Sequence, residues 1–299
     1  MSRTGRTATY ILVSMVFMTL LGCGKEAKEE KKEEVSKEEF RIPDSLLAPI
    51  AGYNLTRDDY HPVRGGVMAN DIIELHYPAR TIARFIAVRS FGIAQSAYRK
   101  VAEEIGKPAE EKLVLIGTKD LDEYMLLTRK EWWYYGYIQG DTIYFEPFNI
   151  LLKRGIADMA IMQKIAQLAL IRRSGNRMPL WLREALASRI AGEGEVLKIQ
   201  IEQSRAAGWD VNPPPAKIEQ DLADALDRSD TRVAFYAAYR MLENLLSSSS
   251  LEDVFEFIDK LQAGSTLNEA SREVFGMNYD ALLNGIRVDR EAGGSALKQ

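Results

Sequence analysis

A single cysteine, Cys23, is all the thiol chemistry that 299 residues offer, so no disulfide within the chain can staple its fold. Whatever forms must be held by burying apolar surface in a packed core. The chain can build one: 46% of its residues are hydrophobic, and 10 Phe, 13 Tyr and 4 Trp supply large side chains. Residues 45–290 suffice for one large domain or two small ones. A formal net charge of −4 leaves no electrostatic footprint for nucleic acid, and no such partner is expected. There is no glycine loop of the P-loop or dinucleotide kind and no Gly-x-Ser-x-Gly turn, so neither a nucleotide cofactor nor a serine nucleophile is expected.

The surroundings of Cys23 say where the chain goes. Arg3 and Arg6 form a basic start, and residues 8–21 then carry no charge. That run falls short of the ~20 residues a helix needs to cross a bilayer and suits a removable export signal. It ends in Leu20-Leu21-Gly22-Cys23, which resembles the lipobox of bacterial lipoproteins. The resemblance implies a signal peptide over 1–22 and a lipid on Cys23, with enough acyl chains for stable anchoring. Gly24, not Asp, follows the cysteine, so the inner-membrane retention signal of enterobacterial lipoproteins is missing and the outer membrane, facing the periplasm or the surface, is the expected location. Residues 25–39 hold five Lys and seven Glu and almost nothing apolar, which predicts a charged tether over 23–44.

Beyond the tether the pattern alternates. Residues 72–78 read as a strand closed by Pro78. Residues 79–105 carry apolar positions at helical spacing and stop at Gly106 and Pro108. A second strand is expected at 112–117 and a short helix or turn at 120–124. An aromatic hairpin follows, with arms at 132–138 and 142–146. The remainder is helical: 153–173, 179–192, 230–246, 251–262, 266–275 and 278–289, with a proline-bearing loop at 208–215 and Ser250 capping the helix that starts at Leu251.

The order of these pieces from about Asn70 to Arg290 resembles the peptidase-MA-like, gluzincin-type domain of bacterial zinc peptidases. Ile105-Gly106-Lys107-Pro108, Asp120 to Tyr124 and the Gly136 to Glu146 hairpin fall where that family has similar motifs. The most specific match is Pro179-Leu180-Trp181-Leu182-Arg183-Glu184-Ala185-Leu186-Ala187, close to the family's second zinc-bearing helix. The resemblance implies an α+β fold: a small N-terminal sheet with its hairpin packed on a helix pair over 45–193, then an all-helical part over 194–290 and a flexible tail at 291–299.

The chemistry departs from the family. A gluzincin needs His-Glu-x-x-His on one helix, so that both imidazoles share a face, and a Glu on the next. With Glu184 as that distal Glu, the motif falls 21 residues upstream, where the chain reads Gln163-Lys164-Ile165-Ala166-Gln167. Carboxamides are poor zinc ligands beside imidazole. Lys164 brings a cation where a dication belongs; at an effective dielectric of about 20, two unit charges about 4 Å apart already cost about 4 kcal/mol. The only histidines are His61 and His76, the latter in the first strand, which cannot rebuild the site. No metal is expected to bind, and zinc-dependent hydrolysis is not expected.

What remains is a groove. Trp132, Trp133, Tyr134, Tyr135 and Tyr137 make the hairpin unusually aromatic, and Tyr236 falls where the family carries a Tyr. They are either alternating core and surface positions or the lining of a cleft for a peptide or partner. Trp181 reads as a core anchor, and Glu184 can pair with Lys164, Arg183 or Arg189. The expectation is an envelope pseudoenzyme that binds a protein or peptide. The alternatives are a structural lipoprotein without ligand and a hydrolase with an atypical site.

Overall fold

Two strands open the described chain, Gly66–Ala69 (β1) and Ile73–Tyr77 (β2), paired antiparallel. These coordinates, a computed structural model, describe residues 65–110, 112–206, 212–224 and 227–287, all within the unit Thr56–Gln299. The expected export signal, Cys23, the expected tether, His61 and the expected tail at 291–299 lie outside the described residues.

In β2 the side chains of Ile73, Leu75 and Tyr77 are buried and those between them half-buried, the alternation of a strand with one core face. Helix α1 (Arg84–Glu104) buries Ala87, Ser90, Ala94, Ala97, Tyr98 and Val101, a stripe three to four residues apart. It leads to β3 (Leu113–Gly117), parallel to β2, completing a β-α-β unit. Asp120 caps α2 (Leu121–Thr128) by accepting the Glu123 N–H at 2.8 Å, and Arg129, left-handed at φ 53°, ends it. The hairpin arms are β4 (Gly136–Gln139) and β5 (Thr142–Phe145), with β5 parallel to β3. The sheet order is β1-β2-β3-β5-β4, so β4 is an edge strand. One row of side chains, Met68, Leu75, Leu115, Ile143 and Ile138, runs across all five strands, and its middle three are fully buried.

The first hairpin arm is shorter than the sequence pattern suggests. Trp132 to Tyr135 form a turn-bearing lead-in, with the Tyr134 N–H bonded to the Glu131 carbonyl at 2.9 Å. The reason is tertiary: the rings of Tyr134 and Tyr135 both reach Lys164, and consecutive residues of a pleated strand cannot point the same way.

The helical part comprises α3 (Phe148–Lys153), α4 (Ala157–Arg173), α5 (Leu180–Ala191), α6 (Gly194–Ala206), α7 (Pro215–Asp224), α8 (Arg228–Leu246), α9 (Leu251–Gln262), α10 (Leu267–Phe275) and α11 (Tyr279–Arg287). The fold is thus α+β, a mixed sheet interleaved with helices and then an all-helical region. The expected helix at 153–173 is split, because Gly155 at φ 68° separates α3 from α4. The loop expected at 208–215 yields its last residue to α7, where Pro215 takes the first helical position and needs no N–H partner. Ser250 and Asp253 form a reciprocal capping box at α9, as do Thr266 and Glu269 at α10. One hydrophobic cluster joins sheet and helices from Ile73 to Ile286. Among the described residues no helix is long and apolar enough to cross a membrane.

Helix α4 packs against α1, α5 and β4 and is buried almost all round. Three of its buried residues are polar, and they define the site.

Candidate functional site

Gln163, Lys164 and Gln167 project from α4 and Glu184 from α5, and none of the four is more than 4% exposed. Their spacing puts 163 and 167 one turn apart on one helix face, with 164 beside them. The Lys164 ammonium donates to Gln167 Oε1 at 3.1 Å, and Gln167 Nε2 donates to the Glu184 carboxylate. The cation and the carboxylate are therefore bridged by an amide instead of meeting directly. Of the other partners expected for Glu184, Arg183 lies 3.9 Å away and Arg189 pairs with Glu243 instead.

A second carboxylate that sequence reasoning missed completes the cluster. Helix α5 ends at Gly192, left-handed at φ 74°, and the reversal brings the Glu193 N–H to the Ser188 carbonyl at 2.9 Å. The Glu193 side chain turns back to accept from Ser188 Oγ at 2.7 Å and from Gln163 Nε2 at 3.2 Å. Tyr135 Oη donates to Gln163 Oε1 at 2.5 Å, tying the hairpin lead-in to α4. The available signal was the Gly192-Glu193-Gly194 break between two helices, a helix stop with an acid in its turn.

Electrostatics follow from burial. Desolvation pulls the Lys164 ammonium down to about 8, although Glu184 and Glu193 hold it up. The rings of Tyr134 and Tyr135, 4.7 and 5.4 Å from its Nζ, help offset the lost water. Burial raises the Glu193 carboxyl, while the Ser188 hydrogen bond and Lys164 oppose the rise. Both tyrosines are pushed well above the usual phenol range, by burial first and by the nearby glutamates next. Gly136 is what lets β4 approach so closely: a Cβ there would lie 2.8 Å from Lys164 Cγ.

Lys164, Glu193, Tyr134 and Tyr135 also form part of the wall of an open cleft of about 190 Å³. Trp133, Met159, Leu197 and Phe235 supply its apolar surface, and Arg154, Arg228 and Arg232 its rim charge. Arg154 is neutralised by the buried Glu146 carboxylate at 3.0 and 3.1 Å. Arg228 and Arg232, one turn apart on α8, have no carboxylate partner among the described residues.

Of the expected groove residues, Trp133 and Tyr135 line this cleft. Trp132 does not; it is exposed, with the Arg228 guanidinium 5.1 Å from its ring. Tyr137 is half-buried and outside the lining. Tyr236 is also outside it, buried with Leu197, Ile201, Val233 and Tyr239. Its neighbour Phe235 takes the cleft position, because one residue turns the side chain by about 100° around a helix. Trp181 is a core anchor, with its indole N–H bonded to Tyr279 Oη at 2.8 Å. His76 meets Glu74 at 2.6 Å in the sheet, away from the cluster.

The cluster does not fit zinc. Two carboxamides and an ammonium stand where imidazoles and a base are needed, and the Gln167 amide already has a partner on each side. Among the described residues no group of three or more His, Cys, Asp or Glu could hold a metal ion. Ser188 and Glu193 form a closed hydrogen-bonded pair with no imidazole to act as a base. Comparison with protein-family models, curated proteins and solved structures gives no match.

Proposed function

We propose that this chain is a lipid-anchored protein of the bacterial cell envelope, with a core of gluzincin type that has exchanged metal chemistry for a resident ammonium and binds a peptide or partner loop in the adjoining cleft. The observation that carries the reading is the convergence of Gln163, Lys164, Gln167 and Glu184, chosen by helix spacing, in one buried hydrogen-bonded cluster. Helix spacing alone groups 163, 164 and 167, so the weight of this observation falls on Glu184, which meets them from the next helix. In this arrangement the Lys164 ammonium takes the place of the cation and the Gln167 amide transmits its hold to Glu184, so the frame stays ordered without a metal.

Binding is supported by the cleft. At about 190 Å³ it is smaller than the ~300–1,000 Å³ of typical small-molecule sites and accommodates one or two side chains of a longer ligand. Its aromatic and aliphatic wall suits an apolar side chain. Like charges one turn apart destabilise a helix unless an anion satisfies them, so Arg228 and Arg232 favour a ligand with a carboxylate beside that side chain.

The test has two readouts. Purified protein is expected to hold zinc far below one equivalent and to leave a mixed peptide pool uncut. A photocrosslinking residue at Met159 should capture one discrete envelope partner in cells, and Arg232→Glu should abolish that capture. Zinc near one equivalent, or cleavage that vanishes with Glu184→Ala, would overturn the pseudoenzyme reading. Crosslinking no different from that of an exposed control position such as Glu252 would overturn the binding.

A further inference from the structure

Helix α1 carries a surface that the cleft does not use. Between Glu74 and Glu103 the chain has no acidic residue and five basic ones, in a protein whose formal net charge is −4. Four of the five, Arg80, Arg84, Arg89 and Arg99, are exposed and form no ion pair among the described residues. Amid them stand Phe85, 73% exposed and the most exposed large hydrophobic residue described, and Val88, 49% exposed. Positions 84, 85, 88 and 89 sit one turn apart in pairs, so the two apolar side chains and two guanidinium groups share one patch at the helix start. Ala83 offers no side-chain cap and the first turn has no acid, so the positive end of the helix dipole adds to the same field.

We infer that the first turns and outer face of α1 dock on an anionic phospholipid surface. Such a surface takes up the two features a protein in water should avoid together. Unpaired guanidinium groups meet phosphates, and a protruding phenyl ring enters the boundary between headgroups and acyl chains. The opposite face of α1 is committed to the core through Ala87, Ala94, Ala97 and Val101, so the helix presents this patch with a fixed orientation. Docking here is separate from cleft binding and rests on the envelope reading only for its setting. It would hold the domain against the membrane that the N-terminal lipid anchors, giving the chain a second attachment point.

The experiment uses the full chain mixed with vesicles of phosphatidylcholine, or of phosphatidylcholine with phosphatidylglycerol in a minority, with a fluorescent dye on Ser96→Cys and quencher-bearing lipids. Cys23 is the only native cysteine, so the same labelling of the chain with Ser96 unchanged gives the signal of any dye on Cys23, which is subtracted. Flotation with phosphatidylcholine reports the anchor, and quenching reports docking. Quenching is expected on the anionic vesicles and not on the neutral ones, with loss at high salt. Each arginine reversed, Arg84→Glu or Arg89→Glu, should weaken docking by at least about fivefold. Phe85→Ser should weaken it while keeping the salt dependence. A chain that floats without quenching overturns docking and leaves the anchor standing. Quenching on anionic vesicles without flotation on neutral ones supports docking and removes the anchor. Equal quenching on both vesicles, or quenching that survives both charge reversals, overturns the inference, as does a chain that binds neither.

Discussion

Replacing Lys164 by Met should change how stability responds to pH. The perturbation removes the charge and keeps most of the buried stem. In the native state burial brings the Lys164 ammonium down to about 8, against 10.5 for an unburied lysine. Between those values the unfolded chain holds a proton that the folded chain has lost, so stability rises with pH across that window. Below about pH 8 the cost of keeping the ammonium buried is fully present, and above about 10.5 it is gone. At 1.36 kcal/mol per unit, the difference between native protein and Lys164→Met grows in favour of the native protein by about 3 kcal/mol over the window. Most of that change falls between about pH 8 and pH 10. Urea unfolding of both proteins at stepped pH, followed by tryptophan fluorescence, measures it, and the other lysines and tyrosines cancel in the difference. A flat difference would refute the claim that the ammonium is desolvated. A difference that falls as pH rises would mean that Glu184 and Glu193 hold the ammonium more strongly than burial expels it.

Other consequences of the cluster are open to measurement. Glu184→Ala leaves the Gln167 amide without its acceptor and removes a carboxylate that stabilises the buried Lys164 charge, and should cost about 2–4 kcal/mol in unfolding free energy, while Glu184→Gln, which keeps an acceptor, should cost less. The triple change Gln163→His, Lys164→Glu, Gln167→His builds a His-Glu-x-x-His set opposite Glu184; elemental analysis should then find zinc near one equivalent, lost again on adding Glu184→Ala. Zinc binding that ignores Glu184 would argue against the pairing of the two helices. Gly136→Ala places a methyl against the Lys164 stem and should cost about 1–3 kcal/mol, seen as a lower urea midpoint with an unchanged slope.

Much of this frame could be read from residue pattern alone, and the misses have physical reasons. Strands β2, β3 and β5 and helices α1 and α9 carry clean periodicity or cap chemistry, because each shows one face to the core. Strand β1 escaped notice since Gly-Val-Met-Ala is four residues at the sheet edge with no fully buried position. The lead-in at 132–135 looked like a strand because aromatics favour strands, but its geometry is set by Lys164 on a helix thirty residues away. The cluster was reachable through the spacing of 163, 164, 167 and 184. Glu193 belongs to no such pattern, since its place depends on a left-handed glycine that folds it back over α5. Phe235 was missed by one position, which on a helix is the difference between cleft and core.

Helix α8 also has a mechanical meaning. At 19 residues it is about 28 Å long, an unbroken rod. One end presents Arg228, Arg232 and Phe235 to the cleft, and near the other Asn244 Nδ2 grips the Ile286 carbonyl of α11 at 2.7 Å. Between the two ends its buried residues, from Thr231 to Leu245, pack against α5 and α7, so the rod is seated along its length in the core. The cleft wall and the C-terminal helix are thus fastened to the same rod, and the cleft keeps its width for as long as that rod stays seated.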